Sequence, residues 1–248
     1  MYIVSFETDQ AHHDAISGLR RQYFPEALLK VDAHLSVFHA LPGDRLDDVR
    51  KVLDSTAERI RCDGADGLRR DVNLLDRGED RARKQHSLLW NTHKAAKQDG
   101  RFKVNITRGA DSIRTSKKAI MMNPTNPRML ISIREHILNA LVHLHVPLTE
   151  QDQREHWKPH YTIANFLRHP EEAQAGARDV AVALSEPTNH AMRHGTIEGL
   201  VLWRYVFGGE QHGMWVEPER FPFFRDGEPE HDLSLDTADK EKWPALGR

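Results

Sequence analysis

Two short stretches carry residue types suited to proton-transfer chemistry: DAHLSVFHALP around His34 and HWKPHYTIANF around His160. In each, a histidine is followed two residues later by a hydroxyl residue, Ser36 in the first and Thr162 in the second, inside an apolar run rich in β-formers. Side chains on a strand alternate faces. His34 and Ser36 therefore share one face, with Leu35 and Val37 on the other, and His160 and Thr162 part from Tyr161 and Ile163 in the same way. An imidazole with an unperturbed pKa of ~6.5 gives or takes a proton near neutral pH. Two of them facing one reacting centre can divide acid and base work, while neighbouring hydroxyls steady developing negative charge. Ser36 as a nucleophile fired by His34 fits less well, because residues two apart on a strand lie ~6–7 Å from each other, beyond hydrogen-bond reach.

The elements that must position these residues can be read from periodicity. Tyr2, Val4 and Phe6 alternate as a first strand, and the stretch from about 11 to 23 reads as a helix closed by Pro25. The first motif strand is expected over about 33–41, ended by the turn signal Pro42-Gly43. Leu46, Val49, Leu53, Ala57 and Ile60 recur at three- and four-residue steps, the buried stripe of a helix starting near Asp44. From about 61 to 100 a charge-rich stretch containing DRGEDRARKQH interrupts this order. It reads as a partly helical, solvated insertion anchored by Leu88, Leu89 and Trp90, the sharper alternative being a lid over the active site.

Strand alternation resumes at Phe102, Val104 and Ile106, and AIMM suggests another strand. Asn126 and Pro127 supply cap and first-turn residues for a helix in which Met129, Ile133, Ile137 and Leu141 repeat every four positions, before Pro147. The second motif strand is expected at about 159–166, followed by a helix over about 170–184 with Glu171 and Glu172 at its positive end. GLVLWRYVFGG and GMWVEPERFPF then read as a hairpin, and the last residues, 224–248, as a polar tail. Periodicity thus gives an α+β chain.

Composition bounds the function. The 35 Lys and Arg against 37 Asp and Glu leave a net charge of −2, which excludes a long polybasic nucleic-acid surface and confines phosphate binding to a few residues in one pocket. Cys62, the one cysteine, excludes an internal disulfide and a multi-cysteine zinc site. Among the 16 histidines, the close pairs His12-His13, His34 with His39, and His143 with His145 lack a metalloenzyme pattern such as His-Glu-x-x-His, so no metal is expected. The start MYIVSFETDQ has no signal-peptide character and no run approaches a membrane span. A soluble protein of the cytoplasm or nucleus is expected, without a membrane partner.

With one His-x-Ser/Thr motif in each half, the sequence resembles the two-histidine (2H) phosphoesterase superfamily, which includes the 2'-5' RNA ligase-like proteins and the cyclic nucleotide phosphodiesterases. LTEQDQREHWKPHYTIANF looks most like the fungal and bacterial 2'-5' RNA ligase-like branch, and the resemblance spans residues 1–223 at the level of element order. It implies a single bilobal domain over those residues. In such a fold two antiparallel sheets are related by a pseudo-two-fold, with helices outside and a central cleft where the motifs meet. It also implies a metal-independent, cofactor-free monomer that hydrolyses 2',3'-cyclic phosphates of RNA ends or nucleotides to 2'-phosphates. Cleavage or ligation of 2'-5' linkages and a non-catalytic RNA-end-binding module remain as alternatives. His34, Ser36, His160 and Thr162 would be the catalytic set, the first histidine taking the acid role and the second the base role. Phe38, by strand parity with His34, and Trp203 or Tyr205, stacking on a base, are candidate substrate contacts, with core packing the commoner role for each such aromatic on a strand. Many relatives have an arginine three residues after the second-motif threonine, where this chain has Asn165; Lys158 or Arg168 would then supply the cation.

Overall fold

The computed structural model describes residues 1–64 and 99–225; most of the insertion, with Leu88, Leu89 and Trp90, and nearly all of the tail lie outside the described residues. The chain runs β1 (Tyr2–Thr8), α1 (Gln10–Tyr23), β2 (Leu35–Leu41), α2 (Leu46–Asp63), β3 (Phe102–Asn105), β4 (Ile113–Ser116), β5 (Ala119–Met122), α3 (Arg128–His143), β6 (Tyr161–Ala164), α4 (Pro170–Ser185), α5 (His190–Arg193), β7 (His194–Tyr205) and β8 (Trp215–Pro222). The expected strands and helices are present within a few residues. β4 and the single turn α5 were not legible, being too short to show a period.

The strands form one antiparallel sheet in the order β3-β7-β1-β2-β6-β5-β4, with β8 also paired to β7. This corrects the expectation of two sheets. The ladder between β2 and β6 has a single residue pair, Leu35 of β2 opposite Tyr161 of β6. Those two residues hold the same place in their motifs, each directly after the histidine. A local two-fold relation between the motifs is therefore built into the junction.

The helical stripes are buried as their spacing demands: Val49, Leu53, Ala57 and Ile60 of α2, and Ile133, Ile137 and Leu141 of α3, are each at most 1% exposed. Asn126 does not cap α3. Its side chain instead joins β3, accepting from the Asn105 N–H and donating to the Lys103 carbonyl. The insertion's two ends come together, since Gly100 packs so close to the Ile60 backbone that a Cβ there would lie 2.5 Å from its carbonyl oxygen. Ile60 and Gly100 are thus side by side near the end of α2. No helix among the described residues is long and apolar enough to cross a membrane.

Candidate active site

At the junction, Leu35 and Tyr161 enter the core at 1% and 2% exposure. The Tyr161 hydroxyl donates to His12 Nε2 at 3.0 Å, and His12 Nδ1 donates to the Ala191 carbonyl at 2.6 Å, so α1 grips β6 from behind. The residues of opposite parity, His34, Ser36, His160 and Thr162, all line a cavity of about 520 Å³. Continuing the register by one residue each way sets His34 opposite Thr162 and Ser36 opposite His160. The imidazoles then occupy diagonal corners, ~7–8 Å apart at the backbone, with the hydroxyls at the other two. That spacing leaves room for one phosphorus-sized group between the rings.

Both rings are held by the same device. His34 Nδ1 lies 2.8 Å from the Asp32 carbonyl and His160 Nδ1 lies 2.9 Å from the Lys158 carbonyl, each two residues upstream. A carbonyl only accepts, so Nδ1 carries the proton in both rings and Nε2 is left for a ligand. Among the described residues, neither Nε2 and neither hydroxyl oxygen of Ser36 or Thr162 has a hydrogen-bond partner.

The surroundings of the two histidines differ. Trp215 of β8 covers His34 with ring centroids 4.1 Å apart. Burial lowers the His34 pKa to about 3, helped by the neighbouring Arg20 guanidinium. Arg20, 5% exposed, donates to the Val31 carbonyl at 3.1 Å and to the Thr162 carbonyl, tying the approach to β2 to β6. Arg134, 2% exposed, donates to the Asp152 carbonyl at 2.7 Å and lies over the Phe38 and Trp157 rings. Both guanidiniums line the cavity and both donate to neutral carbonyls, while the buried Nε of Arg134 has no hydrogen-bond partner among the described residues. Asp152, the one carboxylate among the described lining residues, partly offsets the Arg134 charge, while its oxygens accept from the His39 and Ala40 N–H groups and the Thr149 hydroxyl. Arg20, Arg114, Arg134, Arg154 and Lys158 against that single carboxylate leave the described lining positive, which suits a bound anion.

The expected substrate residues divide. Lys158 lines the cavity, whereas Arg168 does not; its backbone N–H donates to the Glu172 carboxylate at 3.0 Å. Phe38 is fully buried in the core rather than in the cavity wall. Its parity is reversed by a β-bulge: Ser36 faces Ser5 and Phe38 faces Val4, so Val37 is an extra residue and His39 takes the cavity side. Trp203 donates to the Ser5 hydroxyl at 2.9 Å, and Tyr205 packs on Phe207; neither lines the cavity. Trp215, register partner of Tyr205, is the hairpin aromatic that does. Asn165 also reaches the cavity, because β6 ends at Ala164 and the next turn passes through Phe166 at φ 61°. Arg20, Arg134 and Trp215 were missed by sequence reasoning. Trp215 alone left a signal, its parity with Trp203 and Tyr205 across the hairpin. A buried arginine on a helix leaves none.

Among known structures the chain is similar to that of TT0787 of Thermus thermophilus, at 13% identity over 89% of this chain and 97% of the other, with a TM-score of 0.45. No curated protein matches. The family model described as the 2'-5' RNA ligase superfamily matches residues 7–206, a span that contains both histidine motifs and the whole β2–β6 junction. The chain belongs to that superfamily, the 2H phosphoesterases.

Proposed function

We propose that the protein is a metal-independent phosphodiesterase that opens 2',3'-cyclic phosphates of RNA ends or nucleotides, leaving a 2'-phosphate. The observation that carries this reading is the pair of unpartnered Nε2 atoms, each fixed by a carbonyl at Nδ1, on one positive cavity. The reaction needs a base to take a proton from water and an acid to return one to the departing 3'-oxygen, on opposite sides of phosphorus. The resemblance to relatives assigns acid to the first histidine. The local electrostatics favour the reverse, because a ring whose pKa is held low is neutral at working pH and ready to accept.

In this reading His34 Nε2 takes the water proton as the new P–O bond forms. The P–O3' bond breaks, and the 3'-oxygen receives the proton of His160 Nε2. Ser36 and Thr162 donate to the non-bridging oxygens, and Arg20 and Arg134 supply field from below. Two imidazoles each offering a free Nε2 are a poor device for merely holding an anion, which arginine does better, so catalysis is favoured over a binding module. A ribose hydroxyl in place of water would make the same groups form or break a 2'-5' linkage, and the family match favours testing that reaction in parallel.

The test is turnover of 2',3'-cyclic AMP in excess chelator, with the product identified by 31P NMR, beside a 2'-5' oligoadenylate. Hydrolysis to the 2'-phosphate, lost in His34→Ala and in His160→Ala, is expected. Full activity in either variant overturns the mechanism.

A further inference from the structure

We infer that the cleft contains a second anion site, formed by Arg114, Lys158 and Arg154, which line the same cavity as the two histidines. It would take a phosphate ester on the 5'-oxygen of the nucleotide whose cyclic phosphate sits between the histidines. This rests on the reading above and narrows its substrate. Charge is the first argument. A cyclic phosphodiester carries one negative charge, and the buried guanidiniums of Arg20 and Arg134 already lie beneath it. Arg114, Lys158 and Arg154 add three more cations to the same lining, all on exposed residues. Among the described residues none of their side chains has an acceptor, although arginines elsewhere are matched to carboxylates, as in Arg50 with Glu219, Arg204 with Glu217 and Arg220 with Glu7.

Position is the second argument. Arg114 faces Met121 across β4 and β5, and Met121 faces Thr162 across β5 and β6, so the three side chains form one row that ends at the catalytic hydroxyl. Arg114 is two strand spacings from Thr162, roughly 10 Å between backbones. Its guanidinium therefore serves a group beside the reacting phosphorus rather than the phosphorus itself. Arg154, Lys158 and His160 line the same cavity, and Lys158 lies within about 7 Å of His160 along the chain. Cations thus lie beyond the catalytic square within one cavity, where a second phosphate next to the reacting one would meet them.

The experiment compares kcat/KM for adenosine 2',3'-cyclic phosphate, its 5'-phosphorylated form, and the dinucleotide that ends in the same cyclic phosphate. The two substrates with a second phosphate should exceed the first by about tenfold or more, through KM, in line with added charge-assisted hydrogen bonds. That ratio should fall as salt rises. In Arg114→Ala and in Lys158→Ala it should drop towards one, and Arg114→Lys should restore part of it. A gain for the 5'-phosphorylated mononucleotide alone supports the site and assigns it to a terminal phosphate. A gain for the dinucleotide alone overturns it, because base or length would then be what is read. Equal turnover of all three, or a ratio that survives both alanine variants, also overturns it. Loss of turnover on every substrate would instead discard the phosphodiesterase reading, so the two failures are separable.

Discussion

The two histidine motifs are near copies in geometry and unlike in environment. Each ring is tethered through Nδ1 to the carbonyl two residues upstream, and each strand places a hydroxyl two residues downstream. Around His34, however, Trp215 and Arg20 enclose the ring, and β2 runs on for seven residues, pinned by Asp152. His160 precedes a strand of four residues that ends in a left-handed turn, and it sits among exposed cations. The repeated sequence sets where the two imidazoles stand. In the proposed mechanism, the unrepeated surroundings set which way each carries its proton.

Removing a motif histidine should break this comparison most severely. His34→Ala and His160→Ala should each lower kcat by ~10²–10⁴, with unchanged circular dichroism as the check on folding. Next is the pin that only the first motif possesses. Asp152→Ala leaves the His39 and Ala40 N–H groups without their acceptor and should cost about 2–4 kcal/mol, read by urea unfolding.

A third variant tests the enclosure. Trp215→Ala uncovers His34 and should move the acid limb of kcat/KM upward by about one pH unit or more. The sign follows from the base role: His34 works while unprotonated, so activity is present above its pKa and lost as pH falls through it. Stability responds in the same direction. The unfolded chain binds a proton at His34 near pH ~6.5 that the folded chain refuses until about 3, so stability declines as pH falls between those values. The smallest effect belongs to Phe38→Leu, which should cost about 1 kcal/mol of stability and leave KM unchanged, as expected of a core residue rather than a pocket one.

The sequence was most legible where one physical rule acts alone. Four-residue spacing placed the buried faces of α2 and α3, and strand alternation put both histidines and both hydroxyls on the cavity side. It failed where a second rule intervened. The bulge at Val37 reverses parity and sends Phe38 into the core, and the early end of β6 brings Asn165 to the cavity. Arg20 and Arg134 obey no local rule, because a guanidinium is buried only by the carbonyls that tertiary structure brings to it. The single sheet was also hidden, since one cross-strand pair, Leu35 with Tyr161, carries the ladder from β2 to β6.

The division of labour between the histidines is tested most directly by pH profiles of kcat/KM on a 2',3'-cyclic nucleotide for the wild type, His34→Ala and His160→Ala, all in chelator. The account predicts a bell for the wild type, loss of the acid limb in the residual activity of His34→Ala, and loss of the alkaline limb in that of His160→Ala. The opposite exchange of limbs, or a bell retained by either variant, would contradict it.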